Sequence, residues 1–391
     1  MRPYENEFAS ATENEELKAA IRERVAAEGR IPFRQFMAIA LYHPQHGYYS
    51  SPRQRMGRHG DYLTSPEVNP IFGSLVAKQI RQMWQAMGEP QPFTIVEMGA
   101  GSGLLARDIL AWASRRAPEF FQALEYRLIE VNEWLVENQR RLLRQVDPSL
   151  AGVSWLPSLE DTAPESVRGC FLSNELIDSF PVHRVAVRDG QLHELYVEWQ
   201  EERFVESLGP PSTPLLQEYF DRLGLLPGEG CSAEVNLEAL EWMKAVGRAL
   251  GRGFVLGFDY GYPAEELYAP WRRDGTFLCF HRHNPSTDPY ARLGHQDMTS
   301  HVDFTSLIQA GREQGLEPLG ITSQGRFLAA LGIAAGLERQ ADSELSLEEY
   351  YARRRAVTEL IDTAGLGRIK VLIQAKGVGQ PKLQGLEESE P

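Results

Sequence analysis

The sequence predicts an α/β fold in which a mainly parallel sheet is covered by helices on both faces. Two observations carry that reading. From Phe93 onward, β-rich runs alternate with helical stretches, the runs being FTIVEM, YRLIEV, GCFLSNE, GFVLGFDYG and IKVLIQAKG. The first of them passes directly into a glycine-rich turn, GAGSG, that opens a helix.

Ahead of this alternation, Asn14 can cap a helix running to about Glu28, where Gly29 offers a stop. An apolar helical stretch follows from Pro32 to Leu41. His43 to Asn69 is rich in Gly, Pro, Ser and Tyr and reads as a long loop. Pro70 suits the first turn of a helix ending near Gly88, with Ile71, Leu75, Ile80, Met83 and Trp84 on one face. Further helices are expected after Gly103, after Asn132 and from Phe304 to Gln314.

Two stretches interrupt the pattern. VHRVAVRDGQLHELYVEW places Asp189 and Gly190 between alternating runs and reads as a β-hairpin. Tyr262 to His301 is rich in Pro, His, Arg and aromatics without clear periodicity, where loops that select substrates commonly lie. The expected units are a helical cap and covering loop (1–90), a first core part (91–181), a hairpin-containing insertion (182–235), more core (236–261), a lid (262–302), the end of the core (303–378) and a disordered tail (379–391). The RRR run at 353–355 reads as the solvated face of an amphipathic helix.

At 391 residues the chain can bury a large core. With 40 Lys+Arg against 54 Asp+Glu, its net charge of -14 argues against nucleic acid or an anionic membrane as a non-specific partner. Cys170, Cys231 and Cys279 lie far apart without CxxC spacing, which suggests neither a disulfide framework nor a zinc site. His281, His283, His295 and His301 form no HExxH pattern, so no metal is expected. The N-terminal MRPYENEFASATENEEL lacks both the apolar centre of a secretory signal and the Arg-rich character of a mitochondrial presequence. No apolar run approaches the roughly 20 residues of a membrane span. A cytoplasmic location is therefore expected.

The sharpest chemical signal is TIVEMGAGSG, where a strand ending in Glu97 is followed by Gly99, Gly101 and Gly103. Such residues let backbone approach a ligand closely. A nicotinamide fingerprint would place its last glycine where Leu104 stands, and this spacing favours S-adenosylmethionine over a pyrophosphate. Glu130 ends the next strand, where a carboxylate can accept both ribose hydroxyls. SNELIDSFP sets Asn174, Glu175 and Asp178 at the carboxyl edge of the sheet. A guanidinium keeps its charge up to a pKa above about 12, so methylating one of its nitrogens requires acids that orient the fork. Glu175 and Asp178 meet that need, although Asp178 also suits a turn cap and Glu175 a solvated acid. Asp259, in FDYGY, ends another strand and either faces the same cleft or makes an ordinary turn.

Taken together, FMAIALYHPQHGYYS, GDYLTSPEVNPIFG, VEMGAGSG, LIEVN, SNELIDSFPV, DYGY, GHQDMTSHVDF, QGRFLAALGI and GRIKVLIQAKG resemble the MidA-type proteins. Mitochondrial members of that family assist respiratory complex I assembly as protein arginine methyltransferases. The resemblance runs through nearly the whole chain. It implies that GDYLTSPEV folds against the cofactor, bringing Asp61, Thr64, Ser65 and Glu67 near S-adenosylmethionine. From the residues alone the same stretch is a punctuated loop with Asp61 as a turn former. Tyr62, Ser65 and Met298 stand where the family more often has Phe, Ala and Leu, and GTFLCFHRHNPSTDP is more divergent.

The combined expectation is a class I, Rossmann-like methyltransferase with a seven-stranded sheet, a helical N-terminal cap, and hairpin and lid insertions. Glu97, Gly99, Gly101, Gly103, Glu130, Asp61, Thr64 and Ser65 are its expected cofactor-binding residues, and Asn174, Glu175 and Asp178 its catalytic ones. The expected partner is a protein substrate such as a complex I subunit, and a homodimer is compatible with it. An assembly chaperone using the cofactor structurally and a small-molecule methyltransferase are the alternatives.

Overall fold

The computed structural model describes residues 14–50, 57, 60–337 and 346–387. Seven strands form the central sheet: β1 (Phe93–Met98), β2 (Leu124–Ile129), β3 (Val153–Leu156), β4 (Val167–Asn174), β5 (Leu250–Asp259), β6 (Glu317–Ser323) and β7 (Lys370–Lys376). Their order across the sheet is β3-β2-β1-β4-β5-β7-β6. The first five strands run parallel, while β7 is antiparallel to both β5 and β6. Chain direction across the sheet reverses between β1 and β4. Their carboxyl ends therefore diverge into the crevice where ligands of open α/β sheets bind.

Alternation along the strands builds two cores. Phe254, Leu256 and Phe258 of β5 face the helices Ile71–Ala86, Leu104–Arg116, Gln324–Ala330 and Leu347–Ile361. Val255, between them, faces Leu237–Ala249 and Phe304–Arg312 on the other side. Helix Glu15–Glu28 starts where Asn14 Oδ1 accepts the Leu17 N–H at 3.0 Å and stops at Gly29 with φ 78°. The RRR run lies on the outward side of Leu347–Ile361, opposite buried Ala356, Val357 and Leu360.

A second, antiparallel sheet pairs Ile31–Pro32, Gln191–Gln200, His183–Arg188 and Ser232–Val235 in that order, with Arg203–Gly209 also on Gln191–Gln200. Asp189 and Gly190 turn its hairpin with φ 52° and 72°, both positive as a two-residue turn between twisted strands requires. Residues 262–302 prove less irregular than their sequence. Leu278–His281 pairs with Asn284–Ser286 and Asp297–Thr299 in a small antiparallel sheet. Phe33, Phe36 and Met37 of the N-terminal helices, Val197 and Phe204 of the second sheet, and Cys279, Leu293 and Met298 of this lid bury one another in a third core.

The expectation of a disordered tail from 379 is corrected over most of its length. Leu383 is buried, the Gly385 N–H donates to Gln79 Oε1 at 2.8 Å, and Gln384 Nε2 donates to the Ala330 carbonyl at 2.7 Å. Apolar and amide contacts hold the segment to Ile71–Ala86, and residues 388–391 lie outside the described ones. Among the described residues no helix is long and apolar enough to cross a membrane.

Candidate active site

At the end of β1, Gly99, Gly101 and Gly103 take φ values of 75°, 50° and 81°. A side chain at Gly99 would begin 2.8 Å from Leu176 Cδ1, so the turn is closely backed as well as left-handed. The Gly103 N–H donates to the Ala100 carbonyl at 2.8 Å, and Leu104–Arg116 starts there without a side-chain cap. Glu97 sends its carboxylate inward: it is 3% exposed and accepts the Tyr126 hydroxyl at 2.5 Å. Burial lifts its pKa to about 7, with the Tyr126 bond opposing the rise.

Glu130 follows β2 on the same rim, where its Oε1 accepts the Asn132 N–H at 2.9 Å. Burial raises its pKa, and bonds from the Asn132 and Val131 amides and the Gln139 side chain counter the shift. Gln139 was not foreseen. It is fully buried, donates to the Gly101 carbonyl at 2.9 Å and accepts from Trp155 Nε1 at 2.8 Å, so it clamps the glycine turn to the strand bearing Trp155. A polar residue on a helix gives no sign in sequence that it faces inward.

GDYLTSPEV does fold over this crevice. Glu67 Oε1 accepts from Ser102 Oγ at 2.8 Å, inside the glycine turn. The Ser65 N–H donates to Glu175 Oε1 at 3.4 Å, while its hydroxyl donates to Gln324 Oε1 at 2.8 Å. Thr64 is buried at the start of the short helix Ser65–Val68. Asp61 turns toward the lid instead, accepting from the Tyr48 hydroxyl and the Arg282 N–H, both at 2.9 Å.

Across the switch point the acids converge. Glu175 adopts a left-handed backbone, φ 50°, and its N–H donates to the Phe258 carbonyl at 2.8 Å, joining the ends of β4 and β5. Such a conformation is costly for a side chain bearing a Cβ and collects at working sites. Asn174 Nδ2 donates to Glu175 Oε1 at 3.1 Å, and Asn174 Oδ1 is buried without a partner among the described residues. Asp178 is 8% exposed, and Asp259 is 2% exposed with its oxygens on the Ile177 and Tyr260 amides at 2.8 and 2.9 Å. The lid adds Asp297, 2% exposed, which accepts the Tyr49 hydroxyl at 2.7 Å. The charges of Asp259 and Asp297 reach both Glu175 and Asp178, and that of Glu175 reaches Asp178.

Burial, then the charge of Asp259, pushes Glu175 up to about 8. Burial, then Asp259 and Glu175, raises Asp178 well above its ordinary value, and burial lifts Asp259 to about 7. Among the described residues, Glu175, Asp178 and Asp259 form no ion pair with Lys or Arg. Tyr49, Tyr62 and Tyr260 ring the cup, the last two feeling the charges of Glu175 and Asp178. Asp297 and Tyr49 escaped the sequence reading because they return to the site from the lid and the N-terminal loop.

Residues 75–322 match the family described as S-adenosyl-L-methionine-dependent methyltransferases. The chain belongs to that family. A methyltransferase-like protein of Burkholderia thailandensis, crystallised with S-adenosyl-homocysteine, superposes with a TM-score of 0.85 at 31% identity, over 95% of this chain and 94% of that one. The Drosophila melanogaster protein arginine methyltransferase NDUFAF7 homolog, mitochondrial, is 30% identical over 390 residues, 93% of this chain and 85% of its own. The human protein arginine methyltransferase NDUFAF7, mitochondrial, is 28% identical over 343 residues, 81% and 73% of the two chains.

This methyltransferase thus takes S-adenosylmethionine as its donor, and the seven-stranded class I sheet is the one foreseen. The cytoplasmic location is corrected: the Drosophila and human relatives are mitochondrial proteins, which that expectation does not accommodate. That expectation rested on the composition of the first residues and on the lack of a long apolar run, which the fold and its chemistry do not constrain. The residues present fit the donor, with glycine backbone, the Glu130 carboxylate and the orphaned acceptor Asn174 Oδ1 gathered on one rim. Glu130→Ala should weaken S-adenosylmethionine binding by roughly 2 kcal/mol, the worth of a charge-assisted pair of hydrogen bonds. Calorimetry checks it, and unchanged affinity removes Glu130 from the site.

Proposed function

We propose that this methyltransferase acts on an arginine side chain of a protein. The observation that carries the reading is the acid cup: Glu175, Asp178 and Asp259 are recessed beside the cofactor crevice and unmatched by a cation among the described residues. Buried like charges are expensive unless a cation completes them. A guanidinium suits this cup because its planar fork can address several carboxylates at once while tyrosine faces cover its plane. The names of the Drosophila and human relatives support the same substrate. The resemblance to MidA-type proteins favours a respiratory complex I subunit as the protein that carries it.

S-adenosylmethionine supplies an electrophilic sulfonium methyl. Glu175 and Asp178 orient the fork, with Asn174 holding Glu175 Oε1. One guanidinium nitrogen bonds to the methyl carbon as the carbon–sulfur bond breaks, giving S-adenosylhomocysteine and a methylated arginine. The proton shed by that nitrogen passes to a cup carboxylate, and the raised affinities of Glu175 and Asp259 suit them to hold it. Gly99, Gly101, Gly103, Glu130, Thr64 and Ser65 form the cofactor side in this reading, Glu97 backs the glycine turn from within through its bond to Tyr126, and Asp61 anchors the lid.

The test compares the proteome of cells with and without the gene by mass spectrometry, followed by methylation of the affected protein by the purified chain. Loss of a methylated arginine, restored in vitro, is expected. A restored methyl group on any other residue, or on a small molecule, overturns the reading.

A further inference from the structure

Beside the acid cup, on its β5 and β7 side, three rings lie in one continuous column between two guanidinium groups. Arg368 lies 5.3 Å from the Tyr260 ring centroid, Tyr260 stacks on His301 at 6.2 Å and 15°, His301 meets Tyr262 at 5.3 Å, and Arg272 lies 4.6 Å from Tyr262. Chain pairing explains the order. Asp259 of β5 is in register with Lys370 of β7, which brings the preceding Arg368 to the rim. Gly261–Tyr262 pairs in parallel with Val302–Asp303, and the Val302 N–H donates to the Tyr260 carbonyl at 2.8 Å, which seats His301 between the two tyrosines.

Tyr260 is a wall shared by two opposite fields. It feels the negative charges of Glu175, Asp178 and Asp259 and the positive charge of Arg368. His301 adds no charge of its own: burial and the nearby Arg368 and Arg272 hold it down to about 4, so it stays a neutral ring at ordinary pH. Among the described residues neither Arg272 nor Arg368 forms a salt bridge, in a chain whose net charge is -14. Arg272 Nε donates to the Glu266 carbonyl at 3.5 Å, and a guanidinium lying on a ring face still turns its paired terminal nitrogens edge-on, the edge that takes a carboxylate in a two-point contact. Next to Arg272, the indole of Trp271 is 76% exposed, as large anchors of transient interfaces are.

We propose that this column is a specificity ledge that binds an acidic side chain flanking the accepting arginine of the substrate. The cup takes the positive residue and the ledge its negative neighbour, so the substrate segment it fits carries Asp or Glu beside Arg. Basic neighbours meet Arg272 and Arg368 and are repelled. The inference rests on the arginine reading of the cup, and its test separates the two.

Fluorescence anisotropy of the full chain, loaded with S-adenosylhomocysteine, would measure labelled peptides that differ only around one arginine, flanked by Asp and Glu, by Asn and Gln, or by Lys. The acid-flanked peptide should bind about tenfold more tightly than the amide-flanked one, with the advantage shrinking as salt is raised. Arg272→Gln/Arg368→Gln should remove that advantage and leave the amide-flanked peptide and S-adenosylhomocysteine binding unchanged. The matching Lys pair should restore part of it. Equal binding of the two peptides, or an advantage that survives in the Gln pair, overturns the ledge. A fourth peptide, acid-flanked with Gln in place of the arginine, isolates the cup. If it binds as well as its parent while the Gln pair still abolishes the acid advantage, the arginine reading fails and the ledge stands.

Discussion

Replacing Glu175 with glutamine should lower turnover by about 100-fold or more and leave S-adenosylmethionine affinity in place. The substitution keeps the size of the side chain and its bond from Asn174, and removes only the charge that balances a guanidinium. Turnover of the parent should climb as pH rises through about 7 to 8, because Glu175 and Asp259 lose their protons there and only the ionised acids hold the cation. The sign for stability is opposite. These acids bind protons more tightly folded than unfolded, so the free protein loses stability from the ordinary carboxylate range up to about pH 8. Glu175→Gln should therefore melt higher than the parent at pH 8. Single-turnover assays and thermal melts read both effects, and a variant that methylates at the parental rate would sink the catalytic assignment of Glu175.

Gly101→Val should weaken S-adenosylmethionine by about 100-fold or more, the larger of the two cofactor effects expected here. Gly101 holds φ 50°, a conformation a β-branched residue reaches only with strain, and its carbonyl takes the Gln139 amide at 2.9 Å. Relieving that strain would swing the carbonyl off Gln139 and deform the turn. Calorimetry with S-adenosylhomocysteine measures the loss. A variant that keeps the parental affinity would place the cofactor elsewhere.

Much of this architecture could be read from residue order because the signals are local. Phe93–Met98 forms the strand that FTIVEM announces, Asn14 caps its helix, and Asp189 with Gly190 turns the hairpin. Val153–Leu156 and Glu317–Ser323 were harder to see. The first is short and nowhere fully buried, and the second carries Pro318 and Gly320, which ordinarily speak against a strand. At the site, glycines and acids that end strands were legible through position alone. Gln139, Asp297 and Tyr49 were not, since each acts on a partner far away in sequence and only tertiary packing joins them.

The placement of β7 also sets an order of events during synthesis. This strand is made last of the seven, yet it lies inside the sheet between β5 and β6. Until it emerges from the ribosome, β6 has no sheet partner and one edge of β5 stays unpaired. A nascent chain in that condition presents open strand edges to other proteins, the surface chaperones shield. Arg368 and the column it completes arrive only with this last segment, so a chain stopped short of it would be left with a bare sheet edge and an unfinished substrate ledge.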